Sequence, residues 1–215
     1  MSASRRSSAR TPPTWSWRPP GAARIGPNAI IRVADAIECR LGTGAARELL
    51  DSVGLGAYVD APPGQMVEER EVIALHSAVR SRLTPEAARS IAHAAGLATG
   101  DYLLAHRIPR SAQIVLRALP ASLASRLLLA AITRHAWTFA GSARFTARGG
   151  RRTLFRLEDC PICRGAQSAA PLCEYYAATF TRLFSRLVHP RAEARETACI
   201  AAGAPACQFE VEWRT

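Results

Sequence analysis

Five of the six cysteines fall in the last third of the 215-residue chain: Cys160, Cys163, Cys173, Cys199 and Cys207. With Glu196 among them they make a donor set for zinc, which takes thiolates and an occasional carboxylate in a closed tetrahedron whose ligands converge from separate elements. Two ligand sets compete. One joins the "CPIC" pair, Cys160 and Cys163, to Cys199 and Cys207 and is all thiolate. The other takes Cys173, Glu196, Cys199 and Cys207, in the pattern C-x22-E-x2-C-x7-C. Cys199 and Cys207 belong to both and flank a "GAPA" turn, so a hairpin would set them across from each other on one face. Glu196 is harder to place, because an offset of three along a flat strand points it to the opposite face. A bulge or an irregular strand start is needed to bring it round. An iron–sulfur cluster on the thiolates is a third option. Cys39, far from the others, reads as a small buried hydrophobe.

The elements that must carry these residues are legible upstream and around them. "GPNAIIRVADAIECRLG" repeats Ile30, Val33, Ile37 and Leu41 at helical spacing and stops at Gly42, and "AARELLDSVG" continues as a second short helix. "LGAYVDAPPGQM" reads as a loop, "VEEREVIALHSAVRSRL" as a helix with acids in its first turn. "TPEAARSIAHAAGLATGDYLLAHRIP" opens with Thr84 as N-cap and Pro85 at the first helical position. Its small residues, Ala94 to Gly100, would admit another backbone or a flat ligand, within one chain or in a homodimer. After the helical "LPASLASRLLLAAITRHAWTFAG", two short runs flank Gly149-Gly150 and predict a hairpin. The helix "APLCEYYAATFTRLFSRLV", with Leu172, Tyr176, Phe180, Leu183 and Leu187 along one stripe, precedes a second hairpin in "RAEARETACIAAGAPACQFEVEW". N-terminal helices and two late hairpins separated by a long helix define an α+β fold, which zinc would stabilise.

Of the formal charge of +11, +5 sits in the first 24 residues and +6 in the remainder. Residues 1–24 hold five arginines and no acid, and their Ser/Pro/Arg composition predicts a disordered arm ahead of a single domain over 25–215. No apolar stretch has the roughly 20 residues of a membrane span, and no secretory h-region follows the arginines. The expected location is the cytoplasm, where thiols serve metal, catalysis or packing rather than disulfides.

The block "PLCEYYAATFTRLFSRLVHPRAEARETACIAAGAPACQFEV" resembles the 4-vinyl-reductase domain family. The likeness is strongest over residues 142–213, above all from Pro171 to Val211, and looser upstream. In the related sensor domains of phenol-responsive transcriptional activators, three cysteines and a glutamate at this spacing bind zinc, which implies Cys173, Glu196, Cys199 and Cys207 here as ligands of a structural zinc. "CPIC" lies outside that pattern. The resemblance further implies a role in bacteriochlorophyll formation, at or near reduction of the vinyl group of a divinyl protochlorophyllide-type intermediate. No G-x-G-x-x-G follows a predicted strand, so no dinucleotide site supplies the hydride. A tetrapyrrole carrier or assembly factor serving a separate reductase is therefore the competing reading, with other bacteriochlorophyll-synthesis enzymes as partners. Tyr102, Trp137, Tyr176 and Phe180 are the aromatic residues that would line an apolar tetrapyrrole pocket. At helical spacing they equally suit a core. His93, His106 and His135 are candidate ligands of a chlorin magnesium. No nucleic-acid partner is expected, since the activators' ATPase and DNA-binding domains have no counterpart, and the basic arm would suit peripheral contact with the anionic photosynthetic membrane.

Overall fold

Capping chemistry sets the helix boundaries in this computed structural model, which describes residues 23–149 and 152–213. The arginine-rich stretch up to residue 22, and Gly150 of the expected Gly-Gly turn, lie outside the described residues. A short strand β1 (Arg24–Ile25) precedes α1 (Asn28–Leu41), which buries Ala29, Ile30, Val33 and Ile37 and ends at Gly42, whose φ of 89° breaks the helix before α2 (Thr43–Asp51). A helical turn α3 (Ala57–Asp60) interrupts the segment read from sequence as a loop. Strand β2 (Val67–Glu68) pairs antiparallel with β1, so Arg24 is tied to Glu68. Helix α4 (Glu69–Arg82) begins with a capping box in which the Glu71 carboxylate accepts from Glu68 N–H at 3.1 Å. Helix α5 (Pro85–His106) has the expected cap, with Thr84 Oγ1 accepting from Ala87 N–H at 3.3 Å. Then come α6 (Arg110–Ala118), α7 (Ala121–Arg134) and α8 (Trp137–Ala140).

The two hairpins form as read: β3 (Arg144–Arg148) with β4 (Thr153–Glu158), and β5 (Glu193–Ala198) with β6 (Cys207–Glu212). They also join each other. β4 pairs antiparallel with β6, giving one four-stranded sheet of order β3-β4-β6-β5. Period-2 patterning names strand faces but not which hairpin edges meet, so this pairing lies beyond the sequence.

Helix α9 (Glu174–Leu187) is buried on nearly every side because it lies between the sheet and α5. Toward the sheet it offers Tyr176 and Phe180. Phe180 stacks on Phe155 of β4 with ring centroids 4.2 Å apart, and Phe209 of β6 meets it edge-on at 5.6 Å. Toward α5 the fit is made by glycine. A Cβ at Gly96 would fall 2.3 Å from the Tyr175 carbonyl oxygen, and one at Gly100 would fall 2.5 Å from Arg182 Cβ. The small-residue face of α5 thus takes the backbone of α9. Cys39 corrects the reading of a buried hydrophobe: it lies on the exposed side of α1.

Candidate metal centre

Four separate elements deliver the sulfur atoms. Just after β4, Asp159 takes a positive φ of 59° and redirects the chain into a 3-10 turn over Pro161–Cys163. This knuckle is buried and gripped by α4 from two sides. Arg80 donates to the Ile162 carbonyl at 2.7 Å. Arg164 pairs with the fully buried Glu69 carboxylate at 3.0 Å and donates to the Asp159 carbonyl at 2.6 Å. Ser142 N–H and Oγ also donate to Glu69, so its charge is fully partnered, as a buried carboxylate requires. Cys173 occupies the N-cap of α9. Cys207 opens β6.

Cys199 and Glu196 come to the same place through the irregularity their spacing demanded. The β5–β6 register shifts between Glu196 and Ala198, and this bulge lets Glu196, opposite Phe209, and Cys199, beyond the strand end, share the inner face. Gly203, in the left-handed region at φ 87°, then turns the chain back toward Cys207.

The resulting spacings are those of a tetrahedral thiolate site. Sγ–Sγ distances are 3.7 Å for Cys160–Cys173, 3.4 Å for Cys163–Cys207, 3.6 Å for Cys173–Cys207 and 3.8 Å for Cys199–Cys207. A tetrahedron with metal–sulfur bonds of about 2.3 Å has an edge of about 3.8 Å. Two groups of four donors meet within 4.8 Å: Cys160, Cys163, Cys173 and Cys207, and Cys173, Glu196, Cys199 and Cys207. They share the Cys173–Cys207 edge. The all-thiolate group differs in one member from the set read from sequence, since Cys173 joins the knuckle in the place given to Cys199. The start of α9 docks against the knuckle, a contact that sequence spacing does not encode.

Electrostatics favour a cation among these groups. Glu196 Oε2 accepts from Cys173 N–H at 2.7 Å, while Oε1 is buried with no hydrogen-bond partner, and burial pushes the carboxyl up to about 8. Hydrogen bonds from Cys160, Cys173, Cys199 and Cys207 hold the Cys163 thiol far below its ordinary value. Contacts with Cys160 and Cys163 push Cys173 and Cys207 well above theirs. By themselves the thiols compete for negative charge, with Cys163 and Cys199 lowered and Cys173 and Cys207 raised. A bound divalent ion deprotonates its thiol ligands outright and would give Glu196 Oε1 a partner, so the residues present fit a metal ion. Arg80, partly buried, adds a compensating positive charge beside Cys173, Cys163 and Cys160.

The aromatic candidates are dispersed. Tyr176 and Phe180 are core residues, each about 3% exposed, their faces taken by Phe139, Phe155 and Phe209. Trp137 is 63% exposed on α8. Tyr102 is half-buried, beside His106 at 4.8 Å and facing the Arg32 and Arg107 guanidinium groups. His93, His106 and His135 are exposed. The buried histidine is one the sequence reading passed over. His76 of α4 meets the Tyr175 ring edge-on at 5.5 Å, its Nε2 has no hydrogen-bond partner, and burial lowers its pKa to about 3. Its position was readable: Val72, Leu75, His76 and Val79 repeat at helical spacing. Arg80 and the Glu69–Arg164 pair were missed because each acts across 82 and 95 residues of sequence.

The 4-vinyl-reductase domain family matches residues 153–213, a span that contains all six donors. A protein named bacteriochlorophyll synthase 23 kDa chain, from Cereibacter sphaeroides, is 48% identical over 188 residues, 87% of this chain and 90% of that one. The protein of the same name from Rhodobacter capsulatus is 40% identical over 186 residues, 86% of this chain and 85% of that one. Among solved structures, an H-NOX protein from S. oneidensis shares the fold, with a TM-score of 0.51 and 15% identity across 89% of this chain and all of that one. No described helix is long and apolar enough to cross a membrane. Identity at this level over most of both sequences establishes that the chain belongs to the family of bacteriochlorophyll synthase 23 kDa chains and carries a 4-vinyl-reductase domain.

Proposed function

We propose that this chain serves bacteriochlorophyll biosynthesis at or near reduction of the vinyl group of a divinyl protochlorophyllide-type intermediate, by holding the tetrapyrrole for a separate reductase. The family of 23 kDa chains supports the pathway. What carries the non-catalytic part is the chemistry of the donor set. Buried thiolates and a carboxylate on a structural zinc leave no open position for substrate, and zinc exchanges no electrons. The core rings already stack on one another, so pigment contact falls to the exposed Trp137 and the half-buried Tyr102. Purified protein incubated with divinyl pigment and either NADPH or reduced ferredoxin is expected to bind pigment, seen as an absorption shift, without product. Turnover by the protein alone would overturn this reading.

The metal in this proposal is zinc on Cys173, Glu196, Cys199 and Cys207, because the unpartnered Glu196 Oε1 is explained by a ligand bond. The clamped knuckle favours a second reading, zinc on Cys160, Cys163, Cys173 and Cys207. Elemental analysis separates them. Cys207→Ser removes zinc under both. Cys160→Ser keeps it under the first, and Glu196→Gln keeps it under the second.

A further inference from the structure

Seven large apolar side chains are exposed among the described residues, and six of them lie between residues 102 and 157: Ile114, Val115, Leu123, Leu127, Trp137 and Leu154. The same stretch contains ten arginines and no aspartate or glutamate. Asp101 at its edge pairs with Arg182, and the arginines of the stretch that meet acids are those of the strands, Arg144 and Arg156 with Glu158 and Arg152 with Glu210 and Glu212. Greasy exposure and an excess of positive charge therefore coincide.

They coincide most closely on the adjoining helices α6 and α7. Ala124, Ser125, Leu128, Leu129 and Ile132 of α7 face the interior, and Ser125 Oγ lies 2.8 Å from Thr153 Oγ1, which fixes the rotation of the helix. The opposite stripe, Leu123, Arg126, Leu127 and Arg134, is left to solvent. On α6, Ile114 is 66% and Val115 54% exposed, between Arg110 and Arg117. Burying such side chains would recover stabilisation that the monomer forgoes.

We propose that the α6–α7 face docks on the surface of an anionic phospholipid bilayer. A second copy of the chain would bring arginine against arginine. A nucleic acid would satisfy the arginines but leave Leu123, Leu127 and Ile114 against hydrated phosphates. An anionic membrane takes both: the guanidinium groups sit among lipid headgroups while the leucine and isoleucine side chains enter the acyl boundary. The contact is made by the folded helices α6 and α7.

Flotation of the purified full-length chain with vesicles tests this. Binding is expected to vesicles of phosphatidylcholine mixed with phosphatidylglycerol, to fall with added salt, and to be weak on phosphatidylcholine alone. The exposed-site variant Ile114→Ser/Leu123→Ser/Leu127→Ser is expected to bind at least about tenfold more weakly with unchanged thermal unfolding. Arg126→Gln/Arg134→Gln, which leaves the apolar residues in place, is expected to flatten the salt dependence. The proposal is overturned if the mixed vesicles are not bound, or if the serine variant binds them as the parent does. Light scattering that shows a parent dimer lost in the serine variant would assign the face to self-association and overturn it equally.

Discussion

At the scale of single residues, irregular positions carry the chemistry. Glu196 reaches the thiols only because a bulge reverses the strand's alternation between Glu196 and Ala198, and an odd spacing to Cys199 already demanded such a bulge. His76 has a consequence for pH. Its imidazole is held neutral in the fold, with a pKa near 3, whereas the unfolded chain takes up a proton below about 6.5. A depressed folded-state pKa means that this stability is complete above pH 6.5 and is lost as pH falls toward 3. Between pH 7.5 and 5.5 the loss is expected to be about 1 kcal/mol. Urea unfolding of the parent and of His76→Leu at both pH values checks it: the parent should lose that much more than the variant, and parallel losses would contradict the assignment.

Among elements, close approach and buried charge decide the packing. Alanine at Gly96 would gain about 1 kcal/mol of helix propensity. Its Cβ, however, meets the Tyr175 backbone oxygen and Ala178 Cβ, neither the flexible end of a long side chain. Gly96→Ala is therefore expected to destabilise by about 1–3 kcal/mol, a fall in melting temperature that calorimetry would detect. Gly44→Ala, where no neighbour lies within 4 Å, serves as the control. The knuckle depends on α4 through Arg164 and Glu69. Arg164→Met leaves a carboxylate buried without its cation and should cost about 3 kcal/mol. Restoring the balance with Glu69→Met in the same chain should recover part of it, measurable as a double-mutant cycle. The caps and stripes of α1, α4, α5 and α9 were legible because they are local. The β4–β6 pairing, the α6 helix and the β1–β2 ribbon were not, since short strands and short helices take their stability from distant partners.

For the whole molecule, the donor cluster is the point where sheet, α9, knuckle and α4 meet. Metal removal should loosen all four together. With zinc in excess of its dissociation constant by about a thousandfold, chelation is expected to lower the melting temperature by about 10 °C, and added zinc to restore it. A thermal shift series with and without chelator reads this directly, and an unchanged melting temperature would mean that no metal braces the fold.

Residue type and short-range spacing determined by themselves that this is an α+β chain with two late hairpins, that its chemistry concentrates in six donors after residue 159, and that it resembles the 4-vinyl-reductase domains. Only the tertiary structure decided which donors share a tetrahedron, that Tyr176 and Phe180 are spent on the core, that Cys39 faces solvent, and that α6 and α7 leave apolar side chains exposed. The physical reason is range. Helix period, capping and turn chemistry act over a few residues, whereas a metal site and an open surface depend on how elements far apart in sequence dock, and many dockings are compatible with one local pattern.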